Sequence, residues 1–151
     1  MAPEWIASAR GVFFGLAPSH GRGTLARAVL EGTAFAMRDV LDRVVALDLN
    51  IEAIRIVGGG AKSELWCQIR ADLTGLPVEV PRHADTSSIG AALLGGVAAK
   101  ILPNLGQSAA ALDRGMRVID PRPDQKALYD QSYGRYRELF QALKPLFSTS
   151  S

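Results

Sequence analysis

The chain has 151 residues, of which 48% are hydrophobic and 21% charged, a composition typical of one ordinary globular domain. Its formal net charge is only +2 and no run of five basic residues occurs, which argues against a nucleic-acid-binding protein. No apolar stretch approaches the roughly 20 residues that cross a bilayer, and the first ten residues lack the pattern of a signal peptide. The single cysteine, Cys67, cannot form an internal disulfide. We therefore expect a cytoplasmic domain.

The first part of the chain predicts a strand followed by a long helix. Residues 11–16 form a short apolar run between glycines, typical of a strand or extended segment, and residues 17–23 form a loop. Thr24 is a suitable N-cap for the helix that follows, because its hydroxyl can accept a hydrogen bond from a free N–H of the first turn. The helix is predicted from apolar residues near the helical period: Leu25, Ala28, Val29, Phe35, Ala36, Val40, Val44 and Leu47.

The middle of the chain predicts strand, helix and strand in turn. Residues 53–57 indicate a buried strand, which ends at three consecutive glycines. Ser63 can cap a second helix that runs to about Thr74, and Gly75 is a natural helix stop, because glycine adopts the left-handed conformation at little cost. Residues 77–80 predict a further short strand.

The last part predicts two more helices. Residues 85–88 offer several N-caps for a helix over 89–101, whose many Ala and Gly residues predict close packing against neighbouring backbone. The tail predicts a helix over about 121–147, with an aromatic stripe that docks on the domain. Strands that alternate with helices favour an α/β fold with a mostly parallel sheet. We expect one domain over residues 1–151, with its core at about 8–118.

The strongest local signal for chemistry is the stretch in which the predicted strand at 53–57 breaks into Gly58, Gly59 and Gly60. Glycines let a ligand approach the backbone without meeting a Cβ atom. The helix that follows presents free N–H groups and a partial positive charge at its first turn. Ligands settle at the carboxyl ends of strands in a parallel sheet, and a nucleotide would suit such a position.

Two familiar nucleotide motifs are excluded at this stretch. A P-loop needs glycines where Ile56 and Ala61 stand, and a dinucleotide-binding fingerprint needs one where Ser63 stands. From the residues alone, a tight strand-to-helix turn that binds nothing remains an open alternative.

Residues 58–78, GGGAKSELWCQIRADLTGLPV, resemble the nucleotide-site segment of the FGGY carbohydrate kinases, and most closely that of the xylulose kinases. Residues 11–16 and 25–31 are similar to a second signature of that family, although Thr24 stands where His, Asp, Glu, Asn or Gln is usual. Residues 88–94 resemble the family's small-residue helix. The resemblance covers about residues 8–147 and implies part of an RNase H-like domain of the actin and Hsp70 ATPase type.

The resemblance also implies residue roles. Gly59 and Gly60 would lie against the ribose and α-phosphate of ATP, and Lys62 would be close enough to be tested as a phosphate contact. Ser63 and Glu64 would face the adenine end. The implied nucleotide-binding set is Gly58, Gly59, Gly60, Ala61, Lys62, Ser63 and Glu64.

Other chemically interesting side chains are expected to be structural. Trp66 lies on the apolar face of the second helix and, with Gln68, is interpreted as a support of the site. Cys67 on the same helix is expected to be unreactive. His20 and His83 are isolated in loops without acidic or cysteine partners at ligand spacing, so we expect no metal site there.

In the family that this chain resembles, the sugar contacts, the catalytic aspartate and a Thr-Gly-Thr phosphate loop lie in segments that have no counterpart among these residues. The resemblance therefore implies an ATP-binding portion of a pentulose kinase, with Mg²⁺ held mainly by the other part and no catalytic residue here. We expect self-association or association with that other part. The alternative is a non-catalytic nucleotide-binding or oligomerisation module derived from such a kinase.

Overall fold

Five α-helices and three short strands make up the part of the chain that the computed structural model describes, which is residues 4, 6–82, 85–112 and 115–148. The helices are α1 (Arg22–Val45), α2 (Glu64–Thr74), α3 (Thr86–Ala98), α4 (Leu105–Leu112) and α5 (Pro123–Ser148). The strands are β1 (Ile54–Arg55), β2 (Val78–Val80) and β3 (Arg117–Ile119). A four-residue 3₁₀ helix, Gly59–Lys62, joins β1 to α2.

The three strands form one sheet in the order β1-β2-β3. β1 is parallel to β2, with Ile54 beside Val78, and β3 is antiparallel to β2, with Ile119 beside Val78. The predicted α/β class is confirmed. The sheet is mixed because β3, which the sequence did not predict, returns along the far edge of β2.

Helix α2 lies at the centre of the core and buries two faces. One face packs on the sheet in a cluster formed by Ile56, Ala61, Cys67, Ala71, Val78, Val80 and Ile119. The other face packs on α1 and α5 in a cluster formed by Ala34, Phe35, Ile69, Leu73, Tyr129 and Tyr133. Residues four apart on a helix lie on one side, so Cys67 and Ala71 face the sheet while Ile69 and Leu73 face the helices.

Helix α5, which we predicted at about 121–147, is joined to α2 through a buried carboxylate. Asp72 is fully buried and accepts hydrogen bonds from the backbone N–H of Arg122 at 2.8 Å and from its Nη2 at 2.6 Å. Gln68 Nε2 donates a further bond to Asp72 at 2.9 Å. Burial opposes the ionisation of Asp72, but these hydrogen bonds outweigh it and lower its pKa.

The same helix also contacts α1 through tyrosine hydroxyls and rings. The Tyr133 hydroxyl lies 2.6 Å from Asp39 Oδ1 and 2.9 Å from Asp42 Oδ2. Burial and these two carboxylates raise the pKa of Tyr133 well above its usual value. The aromatic stripe of the tail therefore docks on the domain, and Phe35 of α1 packs among its rings.

The strand predicted at residues 11–16 is not formed. These residues take no part in the sheet, and Phe14 is 79% exposed. An apolar run becomes a strand only where a neighbouring strand satisfies its backbone, and no strand of the described chain lies beside it. The predicted cap of α1 is also wrong, because the helix begins at Arg22 with Gly21 at the N-cap, so Thr24 lies inside the first turn.

The close packing predicted for the small-residue helix is wrong as well. The predicted span was 89–101, whereas α3 runs over Thr86–Ala98 with the Asp85 side chain as its cap. None of the residues of α3 is buried, and its one substantial contact is with α4. Of its three glycines, only Gly96 is closely approached, by the side chain of Leu102.

Candidate functional site

The three glycines form a turn at the carboxyl end of β1, and we call residues 58–63 the glycine turn. Gly58 has a φ of 73°, a left-handed conformation that favours glycine. Its carbonyl accepts a hydrogen bond from the N–H of Ala61 at 3.1 Å, which closes the 3₁₀ helix. Ala61 is buried in the core cluster against the sheet. The packing of Ala61 against the sheet therefore holds the turn in place.

The turn leads directly into the capped N-terminus of α2. Ser63 is the N-cap, as predicted, and its Oγ accepts a hydrogen bond from the N–H of Trp66 at 3.3 Å. Glu64 is exposed and forms an ion pair with Arg117 of β3 at 3.0 Å. Lys62 is exposed at the end of the 3₁₀ helix. The helix N-terminus thus offers its partial positive charge beside an exposed lysine.

The glycines differ in the space around them. A Cβ atom added to Gly58 or Gly59 would meet no atom of the described residues within 4 Å. A Cβ atom on Gly60 would lie 3.2 Å from Arg70 Nη1 and 3.4 Å from Trp66 Cζ3. The turn therefore has an open face at its first two glycines and a covered side at the third.

Trp66 and Arg70 form that covered side. The Trp66 indole N–H donates to the carbonyl of Leu30 at 3.2 Å, which ties α2 to α1. The guanidinium carbon of Arg70 lies 4.0 Å from the centroid of the Trp66 ring, in a cation–π contact. Trp66 is half-buried and acts as a support of the turn, in agreement with its position on the apolar face.

Of two other residues of α2, Cys67 lies beneath the turn, whereas Gln68, which we interpreted as a support of the site, contacts other parts of the chain. Cys67 is fully buried, with Sγ 3.7 Å from the carbonyl oxygen of Gly60, and burial raises the pKa of its thiol. The thiol therefore stays neutral and inaccessible, as expected of an unreactive cysteine. Gln68 donates to Asp72 and to the carbonyl of Asp120, which makes it a link to the chain before α5.

The glycine turn is open surface, and a separate cavity lies nearby. This cavity has a volume of about 280 Å³ and lies between the end of β1, α3 and α4. Its lining includes Val57, Ile89, Leu93 and Met116 but none of the glycines. Among the residues described by the structure, the open side of the glycine turn is therefore exposed surface rather than part of this cavity.

The sequence did not point to Arg70 and Arg117, two arginines that contact residues at or next to the predicted set. The spacing of four residues between Trp66 and Arg70 on one helix was a signal for their contact, whereas Arg117 comes from an unpredicted strand.

The two histidines were expected not to form a metal site. His20 accepts a hydrogen bond from the N–H of Ala17, and His83 lies outside the described residues. The described part of the chain holds no group of three or more potential metal ligands. None of its helices has the length and apolarity needed to span a membrane.

Sequence comparison identifies relatives over almost the whole chain. The chain is 36% identical over 154 residues to the xylulose kinase of Escherichia coli, in an alignment that covers 97% of this chain and 30% of the relative. It is 32% identical over 132 residues to the L-xylulose/3-keto-L-gulonate kinase of the same organism, covering 87% of this chain and 26% of the relative. The chain thus spans about 30% of the length of its relatives.

Solved structures give the same result for the fold. A ligand-bound xylulose kinase from Lactobacillus acidophilus superposes with a TM-score of 0.84 at 28% identity, covering 99% of this chain and 30% of that one. A glycerol kinase from Plasmodium falciparum, solved with ADP, superposes with a TM-score of 0.75 at 25% identity. The superposition covers 93% of this chain and 28% of the glycerol kinase. The fold is therefore that of the actin- and Hsp70-like ATPases, in the version used by sugar kinases.

The sequence profile of the FGGY family of carbohydrate kinases, C-terminal domain, matches residues 1–99. The chain belongs to the FGGY family of carbohydrate kinases and carries sequence of its C-terminal domain. The resemblance seen in the sequence, including its closeness to xylulose kinases, is confirmed.

Proposed function

We propose that this chain is the nucleotide-binding portion of an ATP-dependent kinase that phosphorylates a hydroxyl of a xylulose-like sugar. The observation that carries the proposal is the open backbone of Gly58 and Gly59, which lies between the end of β1 and the capped N-terminus of α2. A Cβ-free backbone beside a helix N-terminus suits a phosphorylated ligand. The glycerol kinase solved with ADP, which shares this fold, adds support.

The residues of the turn fit a nucleotide in chemical type. Gly59 and Gly60 would contact the ribose and the α-phosphate through their backbone, and Ala61 would hold the turn by its burial in the core. Lys62 is exposed and would contact a phosphate as a point charge. Ser63 accepts a hydrogen bond from α2 but keeps its own hydroxyl proton to donate, so with Glu64 it would face the adenine.

ATP, when bound with Mg²⁺, supplies the phosphoryl group and the charge neutralisation that transfer requires. This chain's contribution would be to bind and orient the nucleotide against a fixed backbone. We propose that the sugar contacts, most of the Mg²⁺ ligands and the catalytic base come from the remaining part of such a kinase. The 151-residue chain alone should then release no ADP from Mg-ATP and D-xylulose in a coupled assay, and clear turnover would refute this division of roles.

The nucleotide site is tested by placing a side chain on its open face. Gly59→Val should weaken ADP binding by about tenfold or more, which corresponds to about 1.4 kcal/mol, because the side chain takes the space of the ligand. Gly134→Val is the matched control, since Gly134 also has nothing near its Cβ position but lies on α5. Calorimetry on both variants measures the difference. Equal ADP affinity in the two variants would contradict the proposed site.

A second candidate is a non-catalytic module that associates with copies of itself. The observation that favours it is the exposed apolar surface of residues 11–16 and of α3. This candidate predicts a dimer or larger species by light scattering at about 100 µM, well above the dissociation constants of weak dimers. A monomer at that concentration would count against it, while leaving the nucleotide site untouched.

A further inference from the structure

Arg70 places a positive charge directly against the glycine turn. It lies on α2, one turn beyond Trp66, and its guanidinium stacks on the Trp66 ring at 4.0 Å. From there Nη1 reaches to 3.2 Å from the Cβ position of Gly60. The guanidinium thus occupies the space that a side chain at the third glycine would take, beside the open face formed by the first two.

This cation has no counter-ion in the part of the chain that the structure describes. No carboxylate there lies within 4.0 Å of it, and its Nε is buried without a hydrogen-bond partner. Two other arginines that contact α2 or α5 are paired: Arg38 with Asp130 at 2.7 Å and Arg122 with Asp72 at 2.6 Å. Arg70 is therefore an exception that needs an explanation.

The nearest titratable neighbour of Arg70 cannot act as its counter-ion. Burial raises the pKa of Cys67, so that its thiol remains neutral at ordinary pH. Burial also lowers the pKa of Arg70, since the charged guanidinium is partly desolvated. A partly desolvated cation without a partner gains more from an approaching anion than an exposed one, because the surroundings screen the attraction less.

We propose that Arg70 supplies the positive charge by which the glycine turn prefers a phosphorylated nucleoside to an unphosphorylated one. The inference rests on the proposed function and assigns a specificity-determining residue to the same site. Guanidinium groups bind phosphate oxygens through paired N–H donors. The Trp66 ring holds the guanidinium in place, so little side-chain entropy is lost when the anion arrives. Lys62 contributes a second, solvated charge.

A purely structural role for Arg70 makes a different prediction. If the side chain only covers Trp66 and the third glycine, its removal should loosen the turn and weaken adenosine and ADP binding by equal factors. If it acts by charge, its removal should weaken ADP binding alone, since adenosine carries no phosphate. The ratio of the two affinities separates the roles.

The experiment measures the dissociation constants of adenosine and ADP for the full 151-residue chain and three variants. Arg70→Gln removes the charge, and Arg70→Met removes it while keeping an unbranched apolar stem over Trp66. Arg135→Gln removes an exposed charge from α5 as the matched control. We expect both Arg70 variants to bind ADP about tenfold more weakly, the size of one lost charge-assisted hydrogen bond, and adenosine within about twofold of wild type. The control should bind both as wild type does.

Two results would overturn the inference. Equal weakening of adenosine and ADP in the Arg70 variants would make the residue a structural cover, and unchanged binding of both would remove it from the site. In either case wild-type binding still supports the proposed function. A wild-type chain that binds neither ligand would overturn the proposed function and, with it, the role of Arg70.

Discussion

The α2-centred core and the α3 region have similar shares of apolar residues but very different burial. Around α2, the side chains of Ile69, Leu73 and Val78 are completely enclosed by the sheet and by α1 and α5. Helix α3 has a similar share of apolar residues, yet none of them is buried, and the apolar run at residues 11–16 is exposed too. Apolar periodicity therefore indicates a face that can pack, while burial also requires a second surface to pack against.

The comparison is tested most strongly by one substitution made in both regions. Ile69→Ala, at a side chain with no exposed surface, should lower the free energy of unfolding by about 2–5 kcal/mol, because it leaves a cavity in the core. Ile101→Ala, at a side chain that is 79% exposed just beyond α3, should change it by less than about 0.5 kcal/mol. Urea denaturation of both variants measures the difference. Similar losses would show that the α3 region is packed in solution.

The buried carboxylate that holds α5 gives the next largest effect. Asp72→Asn keeps the size of the side chain but removes the charge that Arg122 contacts, so the free energy of unfolding at pH 7 should fall by about 1.5–3 kcal/mol.

The same substitution should change the pH dependence of stability. Because the pKa of Asp72 is lowered in the folded state, its contribution is fully present above the unfolded pKa of about 3.9 and is lost as the pH falls through the folded pKa. Wild type should thus lose stability below about pH 4, and the variant should lose less over that range. Parallel stability curves for the two proteins would contradict the role assigned to Asp72.

Two tyrosines on α5 give a matched pair of smaller effects. The Tyr133 hydroxyl contacts two carboxylates, so Tyr133→Phe leaves the buried Asp39 without its donor and should cost roughly 1–2 kcal/mol. The Tyr136 hydroxyl is buried without a hydrogen-bond partner among the described residues, so Tyr136→Phe should be neutral or slightly stabilising. Thermal melts compare them, and a larger loss for Tyr136 than for Tyr133 would contradict the contacts described for α5.

The smallest effect on stability is expected in the exposed segment at residues 11–16. Phe14→Ser should alter the free energy of unfolding by less than about 0.5 kcal/mol, because the ring is 79% exposed and packs on little. If the segment mediates self-association, the variant should associate less than wild type in light scattering. A clear loss of stability would mean that the ring is buried in solution.

The sequence was most informative where structure depends on local chemistry. The second helix was predicted from its cap at Ser63 to its stop at Gly75, and both ends are confirmed, with Gly75 in the left-handed conformation. Capping and the left-handed stop involve residues close together in the chain, so they can be recognised without knowledge of the fold. The glycine turn was recognised for the same reason.

What the sequence could not reveal depends on distant residues. β3 pairs with β2 from almost 40 positions further along the chain, and its short run carries no periodic signal. The absence of a described counter-ion near Arg70 likewise appears only once the chain is folded, although the spacing of Trp66 and Arg70 on α2 already indicated their contact. The small residues of α3 predicted close packing, but the composition of a helix does not reveal whether another element lies against it.

Binding of nucleotide to the exposed backbone of the glycine turn can be followed by titrating the ¹⁵N-labelled chain with ADP and Mg²⁺. The amide resonances of residues 58–63 should shift first and saturate together, while those of α3 stay in place. No shift at about 1 mM ADP, a concentration that reveals even weak binding, would contradict it. So would shifts centred on the cavity beside Ile89 and Leu93.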